Sequence, residues 1–171
     1  MWDALAAEAA AESPLWSASL RPDHEQERTA IFSPLGEARY ALGIETIYEG
    51  YLLHYGRARL FAPADDDTAL LLGDYLYAHG LVRIAATGSV AAVHDLAELI
   101  SLCAQARADG REGEAAAWAA TAALLGEGLL DAARLQLSDL GDPSALEALA
   151  STAAGEAAVD RARVAHDRRM G

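Results

Sequence analysis

The chain has 171 residues, with 26 acidic residues against 13 basic ones and a formal net charge of −13 at pH 7. Such an acidic surface repels phosphate backbones, which argues against nucleic-acid binding, and the absence of lysine excludes a P-loop or Schiff-base enzyme. A chain of this length can bury one hydrophobic core without disulfide bonds or structural metals.

The apolar fraction of 53% includes only 6% aromatic residues and is rich in alanine. Because alanine is the strongest helix former, the composition predicts an all-α, single-domain helical bundle. We expect residues 1–32 to form a peripheral N-terminal segment and residues 33–171 to form the helical core. No apolar run reaches about 18 residues and no basic leader is present, so we expect a cytoplasmic protein without a transmembrane segment.

Proline and capping residues define the first predicted helices. A helix over Trp2–Glu12 is expected to end at Ser13-Pro14. Ser33-Pro34 has the pattern of an N-cap followed by proline at the first helical position. It predicts a helix that continues to about Arg59 and ends before Pro63.

The next two predicted helices are bounded by acidic, serine and glycine signals. Asp65–Asp67 precede a helix over about Thr68–Thr87, which Gly88 is expected to close. Ser89 is the expected cap of the following helix, and Gly110 its end.

Two long helices complete the prediction. The first covers about Glu112–Leu140 and includes Gly126-Glu127-Gly128 in its interior. The second is capped by Asp142, begins at Pro143 and reaches about Arg169.

The predicted helix Thr68–Thr87 is apolar on almost every side, which is typical of a central or interfacial helix. Gly73 and Gly80 disfavour helix formation, so they indicate close approach of another helix. Asp74 lies on an apolar stripe of this helix. We expect it to be paired with an arginine or a tyrosine hydroxyl, or to face a ligand.

Other candidate groups have simple structural interpretations. Asp65–Asp67 could hold a divalent ion, but aspartates also cap helices and suit the helix dipole. His94 and Glu98 have the spacing of a metal-binding edge, but the second motif of a di-metal bundle is missing, which favours a surface pair. Cys103 lies on an apolar stripe and is expected in the core. His54 and His79 have no identifiable nucleophile beside them.

Two short motifs resemble a known family. Leu52, Leu53 and His54 form the first, and Gly73, Asp74 and Tyr75 lie at the centre of the second. Together they resemble the all-helical trans-polyprenyl diphosphate synthases, in which Leu-Leu-His is followed by Asp-Asp-x-x-Asp. Here Tyr55, Gly56 and Arg59 stand at the three aspartate positions, so this resemblance implies a synthase-like chain without its magnesium ligands.

The resemblance implies a truncated isoprenoid-synthase-like fold and a non-catalytic small subunit of a heterodimeric long-chain synthase. Such a subunit has no catalytic or metal-binding residues of its own, and magnesium would enter only through a catalytic partner. It would pack on that partner and shape the chain-elongation cavity. The candidate interface or cavity residues are Tyr51, Leu70, Leu71, Tyr77, Leu81 and Ile84.

Three alternatives remain open at this point. The chain could be a stand-alone helical protein that binds an isoprenoid or another apolar ligand, and it could form a homo-oligomer. It could also be an enzyme whose acids have moved to Asp65–Asp67 and Asp74.

Overall fold

Nine α-helices and three 3-10 turns occupy residues 1–170, which the computed structural model describes. The α-helices are α1 (Trp2–Glu12), α2 (Pro14–Ala18), α3 (Ala41–Tyr55), α4 (Asp66–Ala85), α5 (Val90–Asp109), α6 (Glu114–Ala123), α7 (Asp131–Leu140), α8 (Ser144–Ala154) and α9 (Glu156–Met170). These residues contain no β-strand, which confirms the prediction of an all-α, single-domain bundle. None of these helices is long and apolar enough to cross a membrane.

Several predicted helix ends are confirmed by their capping contacts. Helix α1 ends at Glu12, and Ser13 caps the short α2 with proline at its first position. The Asp65 carboxylate accepts the N–H of Thr68, and the Ser89 hydroxyl accepts the N–H of Ala92. Helix α5 ends at Gly110, which adopts a left-handed conformation with φ of 64°.

The prediction that a helix starts at Ser33-Pro34 was wrong for the first part of that helix. These residues form only the 3-10 turn Ser33–Leu35, and the next residue, Gly36, is extended. A second 3-10 turn, Ala38–Tyr40, leads into α3. The proline signal therefore marks a turn that precedes the helix.

The two long C-terminal helices predicted from the sequence are each divided. Gly126 and Gly128 adopt φ values of 85° and 69°, so the chain leaves the helix between α6 and α7. Gly155 adopts φ of 86° and separates α8 from α9. Because these conformations disfavour residues with a Cβ atom, glycines that the sequence placed inside helices instead mark turns.

Helices α3 and α4 approach each other through glycine on both sides. Gly43 on α3 lies opposite Gly80 on α4, and Gly50 lies opposite Gly73, so the two helices are antiparallel. A Cβ atom on Gly50 would lie 2.8 Å from the Gly73 carbonyl oxygen. This confirms the close approach predicted from Gly73 and Gly80.

Gly50→Ala should therefore lower the free energy of unfolding by about 2 kcal/mol, even though alanine favours helices. The new methyl group meets backbone, so the helices must separate. Gly43→Ala is the matched comparison, because its Cβ first meets the end of the Ile84 side chain, at 2.5 Å. We expect the smaller loss for Gly43→Ala in urea unfolding followed by circular dichroism. The reverse order would contradict this explanation.

Two groups of buried side chains hold the bundle together. The larger core centres on the aromatic rings of Phe32, Tyr48, Tyr51 and Trp118. The smaller core joins α1 to α4 and the preceding loop, and contains Leu5, Ala9, Leu60, Phe61, Leu72 and Leu76. The N-terminal segment 1–32 therefore contributes buried side chains to both cores.

Candidate functional site

The two sequence motifs meet at the contact between α3 and α4. The His54 side chain is only 8% exposed and stacks on Tyr77, with ring centroids 5.0 Å apart. It occupies the space left by Gly73, where a Cβ atom would lie 2.5 Å from the His54 Nε2 atom. The glycine of the second motif thus makes room for the histidine of the first.

Asp74 pairs with neither an arginine nor a tyrosine hydroxyl within residues 1–170, so that part of the expectation was wrong. Its side chain is 63% exposed, and its Oδ1 atom lies 3.3 Å from His54 Nε2. Nε2 is buried and forms no hydrogen bond within residues 1–170. Burial lowers the pKa of His54, while Asp74 acts in the opposite direction. His54 is therefore neutral at pH 7, and its neighbour is a solvated carboxylate.

The three positions at which the family resemblance would place aspartates have different surroundings. Tyr55 is half-buried and Gly56 is exposed at the end of α3. Arg59 is completely buried and lies between two carboxylates of α3. Its Nη1 atom is 2.5 Å from Glu45 Oε2, and its Nε atom is 2.8 Å from Glu49 Oε2.

This buried network also satisfies backbone groups. Glu45 Oε1 accepts the N–H groups of Ile31 and Ser33, each at 3.1 Å. Glu49 Oε1 accepts the N–H groups of Arg59 and Leu60, each at 2.7 Å. This network therefore holds two loops against α3. The Arg59 guanidinium is already paired and is not available to a diphosphate.

Sequence reasoning missed Glu45 and Glu49. Their four-residue spacing on an apolar helix was the available signal, since two acids on one buried face require a cationic partner. Within residues 1–170 there is no group of three or more His, Cys, Asp or Glu side chains arranged to hold a metal ion.

The predicted interface residues fall into two groups. Tyr51 and Ile84 are buried in the larger core, and Tyr77 and Leu81 are half-buried against it. Leu70 and Leu71 are exposed and share the outer side of α4 with Ala78 and Val82. We call the four exposed residues Leu70, Leu71, Ala78 and Val82 the α4 face.

The remaining candidate residues are at ordinary structural positions. Asp65 caps α4, while Asp66 and Asp67 are exposed in its first turn. His94 and Glu98 are exposed on α5. Cys103 is buried in the larger core as predicted, and burial raises the pKa of its thiol.

The structure also has a polar cleft that the sequence did not predict. It has a volume of about 810 Å³ and lies between the end of α5, the start of α6, α8 and α9. His166 of α9 lines it, with Nδ1 at 3.0 Å from the Tyr48 hydroxyl oxygen. Arg107 donates to the Tyr51 hydroxyl at 3.2 Å and pairs with Glu114 at 2.6 Å.

The His166 ring is held in the aromatic core. It packs against Phe32, Tyr48 and Tyr51, with ring centroids 5.5 to 5.9 Å apart. Burial lowers the pKa of His166 to about 4 and raises the pKa of Tyr48. Both side chains are therefore neutral at pH 7, and their hydrogen bond joins an uncharged imidazole to an uncharged phenol.

Comparison with protein families, curated proteins and solved structures finds no match to this chain. The motif contact, the α4 face and the polar cleft are therefore the observations from which function is inferred.

Proposed function

We propose that this chain is a non-catalytic helical subunit that packs through the α4 face onto a catalytic polyprenyl diphosphate synthase subunit. The α4 face carries the proposal. It groups the exposed side chains of Leu70, Leu71 and Val82 on the outer side of one helix, with Asp74 as the one exposed charge among them.

The charge pattern supports a protein partner. Charged residues make up 23% of the chain, yet Asp74 is the only exposed charged residue between Thr68 and Ala85. Exposed apolar side chains grouped on one helix are typical of interaction sites. Burial of an apolar helix face against another protein is favourable, so α4 is suited to packing in an assembly.

The occupants of the aspartate positions support a non-catalytic role. Magnesium binds a substrate diphosphate through carboxylates, and Tyr55, Gly56 and Arg59 supply none. The Arg59 charge is also already neutralised by Glu45 and Glu49. In this proposal the partner supplies the metal ligands, and this chain contributes shape to the wall of the elongation cavity.

The interior gives less support to a stand-alone carrier of apolar ligands. Stacked aromatic rings fill the larger core, and the 810 Å³ cleft is lined mostly by charged and polar side chains. An isoprenoid would be poorly solvated in such a cleft. We therefore prefer the subunit hypothesis.

The double variant Leu71→Asp/Val82→Asp tests the proposal. The chain is co-expressed with a catalytic synthase subunit of the same organism, and complex formation is followed by size-exclusion chromatography with light scattering. We expect the wild-type chain to form a heterodimer and to change the length of the prenyl product made with magnesium. The double variant should weaken binding at least about 100-fold, because two charges would be buried at the interface.

Leu140→Asp is the matched control, because this leucine is 76% exposed on α7, away from α4. The control should bind like the wild type, and circular dichroism should show that all variants are folded. The proposal is overturned if the wild-type chain forms no complex, forms only homodimers, or leaves product length unchanged. Release of pyrophosphate by the isolated chain would instead establish an enzyme.

A further inference from the structure

One charged side chain lies in the middle of the α4 face. The Asp74 side chain is 63% exposed, and the residues one helical turn away on either side are Leu70, Leu71, Tyr77 and Ala78. None of these four residues carries a charge, so the helix itself provides no partner for the carboxylate. A protein that covers the α4 face therefore also covers Asp74.

His54 of α3 lies beside this carboxylate but does not neutralise it. His54 Nε2 lies 3.3 Å from Asp74 Oδ1, yet the imidazole is uncharged at pH 7 because burial lowers the pKa of His54. Nε2 is buried and forms no hydrogen bond within residues 1–170, so the two side chains are not a closed pair. The α4 face thus has two polar groups with unused hydrogen-bonding capacity, a solvated carboxylate and a buried imidazole nitrogen beside it.

Covering Asp74 with an entirely apolar surface would remove its water without replacing it. The cost of dehydrating an unpaired carboxylate is of the same order as the gain from burying several leucine side chains. It would therefore offset most of the favourable apolar contact. A basic side chain on the partner would instead replace the lost water with a charged hydrogen bond. The α4 face thus favours a partner that carries a cation at this point.

A second copy of this chain is a poor occupant of the α4 face. Two copies related by a twofold axis at its centre would place their Asp74 side chains about 6 Å apart along the helix axis. Both carboxylates would lose water, and each would repel the other. The net charge of −13 on each chain acts in the same direction.

We propose that the α4 face recognises a surface of the catalytic subunit that is apolar apart from one basic side chain, which pairs with Asp74. This inference rests on the proposed function, since it names the chemistry of the surface to which this chain docks. The leucines contribute apolar contact, and Asp74 determines which apolar surfaces are accepted. An arginine suits the position better than a lysine, because a planar guanidinium binds a carboxylate through two hydrogen bonds.

Asp74→Leu tests this inference, because the two kinds of partner surface predict opposite effects. If a basic side chain faces Asp74, the leucine leaves that cation buried and unpaired, and binding should weaken at least about 30-fold. If the partner surface is wholly apolar, the leucine removes a buried charge and binding should strengthen. The dissociation constant for the catalytic subunit is measured by isothermal titration calorimetry.

Asp74→Asn is the second variant, because asparagine keeps the shape of the side chain and removes only its charge. We expect it to bind roughly tenfold more weakly than the wild type. Asp139→Asn is the matched control, since it makes the same change in net charge at an exposed aspartate of α7. The control should bind like the wild type, and circular dichroism should show that all variants are folded.

The basic side chain is identified by replacing the exposed arginines and lysines of the catalytic subunit with methionine, one at a time. One replacement should weaken binding to the wild-type chain but leave binding to Asp74→Asn nearly unchanged. The inference is overturned if either Asp74 variant binds as well as the wild type or more tightly, or if no basic residue shows this coupling.

Failure of the proposed function gives a different result. In that case the wild-type chain forms no complex, or Leu71→Asp/Val82→Asp binds like the wild type, and the inference about Asp74 is overturned with it. If only the inference fails, Leu71→Asp/Val82→Asp still weakens binding, while the Asp74 variants do not.

Discussion

Arg59→Met should lower the free energy of unfolding by about 4 kcal/mol, the largest effect we expect from a single substitution. The variant leaves Glu45 and Glu49 completely buried with no cation beside them. It also removes the donor to the Thr29 carbonyl and the guanidinium that stacks on Trp2 and Tyr48. Because carboxylates lose their hydration in the core, removing one partner costs more than the pair itself contributes.

Arg57→Met is the control for this variant. The same substitution two residues earlier removes an exposed arginine, which lies 3.8 Å from Glu27. We expect a change below about 0.5 kcal/mol in urea unfolding, since exposed ion pairs contribute little. Equal stability of the two variants would show that the buried network does not support the fold as described.

A triple variant separates lost charge from lost packing. Glu45→Gln/Glu49→Gln/Arg59→Met removes all three charges, while the glutamine oxygens can still accept the backbone N–H groups of the loops. We expect it to be more stable than Arg59→Met alone, because no uncompensated charge remains buried. If the triple variant is the less stable, the loss in Arg59→Met arises from packing around the arginine.

Acidification should destabilise the chain through His166. Its pKa falls from 6.5 to about 4 on folding, so below pH 6.5 the unfolded chain binds a proton that the folded chain does not. The stability contributed by the neutral ring is complete above pH 6.5 and is lost as the pH falls towards 4. Between about pH 7.5 and about pH 5 the expected loss is about 2 kcal/mol.

His166→Gln provides the comparison, because glutamine does not titrate. Carboxylates that titrate in the same range affect both proteins, so the difference between their stability–pH curves reports His166. We expect the wild type to lose more stability than the variant between neutral and mildly acidic pH in urea unfolding. Parallel curves would contradict the account of a neutral, buried imidazole.

The features predicted best from the sequence are those that depend on residues close together in the chain. Asp65 and Ser89 act as caps because each accepts an N–H three residues ahead. Gly126 and Gly155 were assigned to helix interiors, since the leucine- and alanine-rich residues around them favour a helix and glycine itself gives no sign of its backbone conformation. The positive φ values at these glycines depend on how α6 to α9 fold back on the core.

The candidate sites depend on contacts that local patterns do not contain. The hydrogen bond between Tyr48 and His166 joins residues 118 positions apart. Arg59 was assigned to an aspartate position because of its spacing from His54. Its environment is instead determined by Glu45 and Glu49 of α3. By contrast, the glycine spacing on α4 was enough to predict close helix contact, since glycine in a helix needs a steric reason.

The direct backbone contact of α3 with α4 has a consequence for divergence of this protein. Since glycines close the inner side, the residues that point outward from α4 do not determine how the two helices dock. Substitutions on the outer side of α4 can accumulate and change which partner it binds, while the packing of α3 against α4 is unchanged. The same scaffold could thus acquire new binding specificities without refolding.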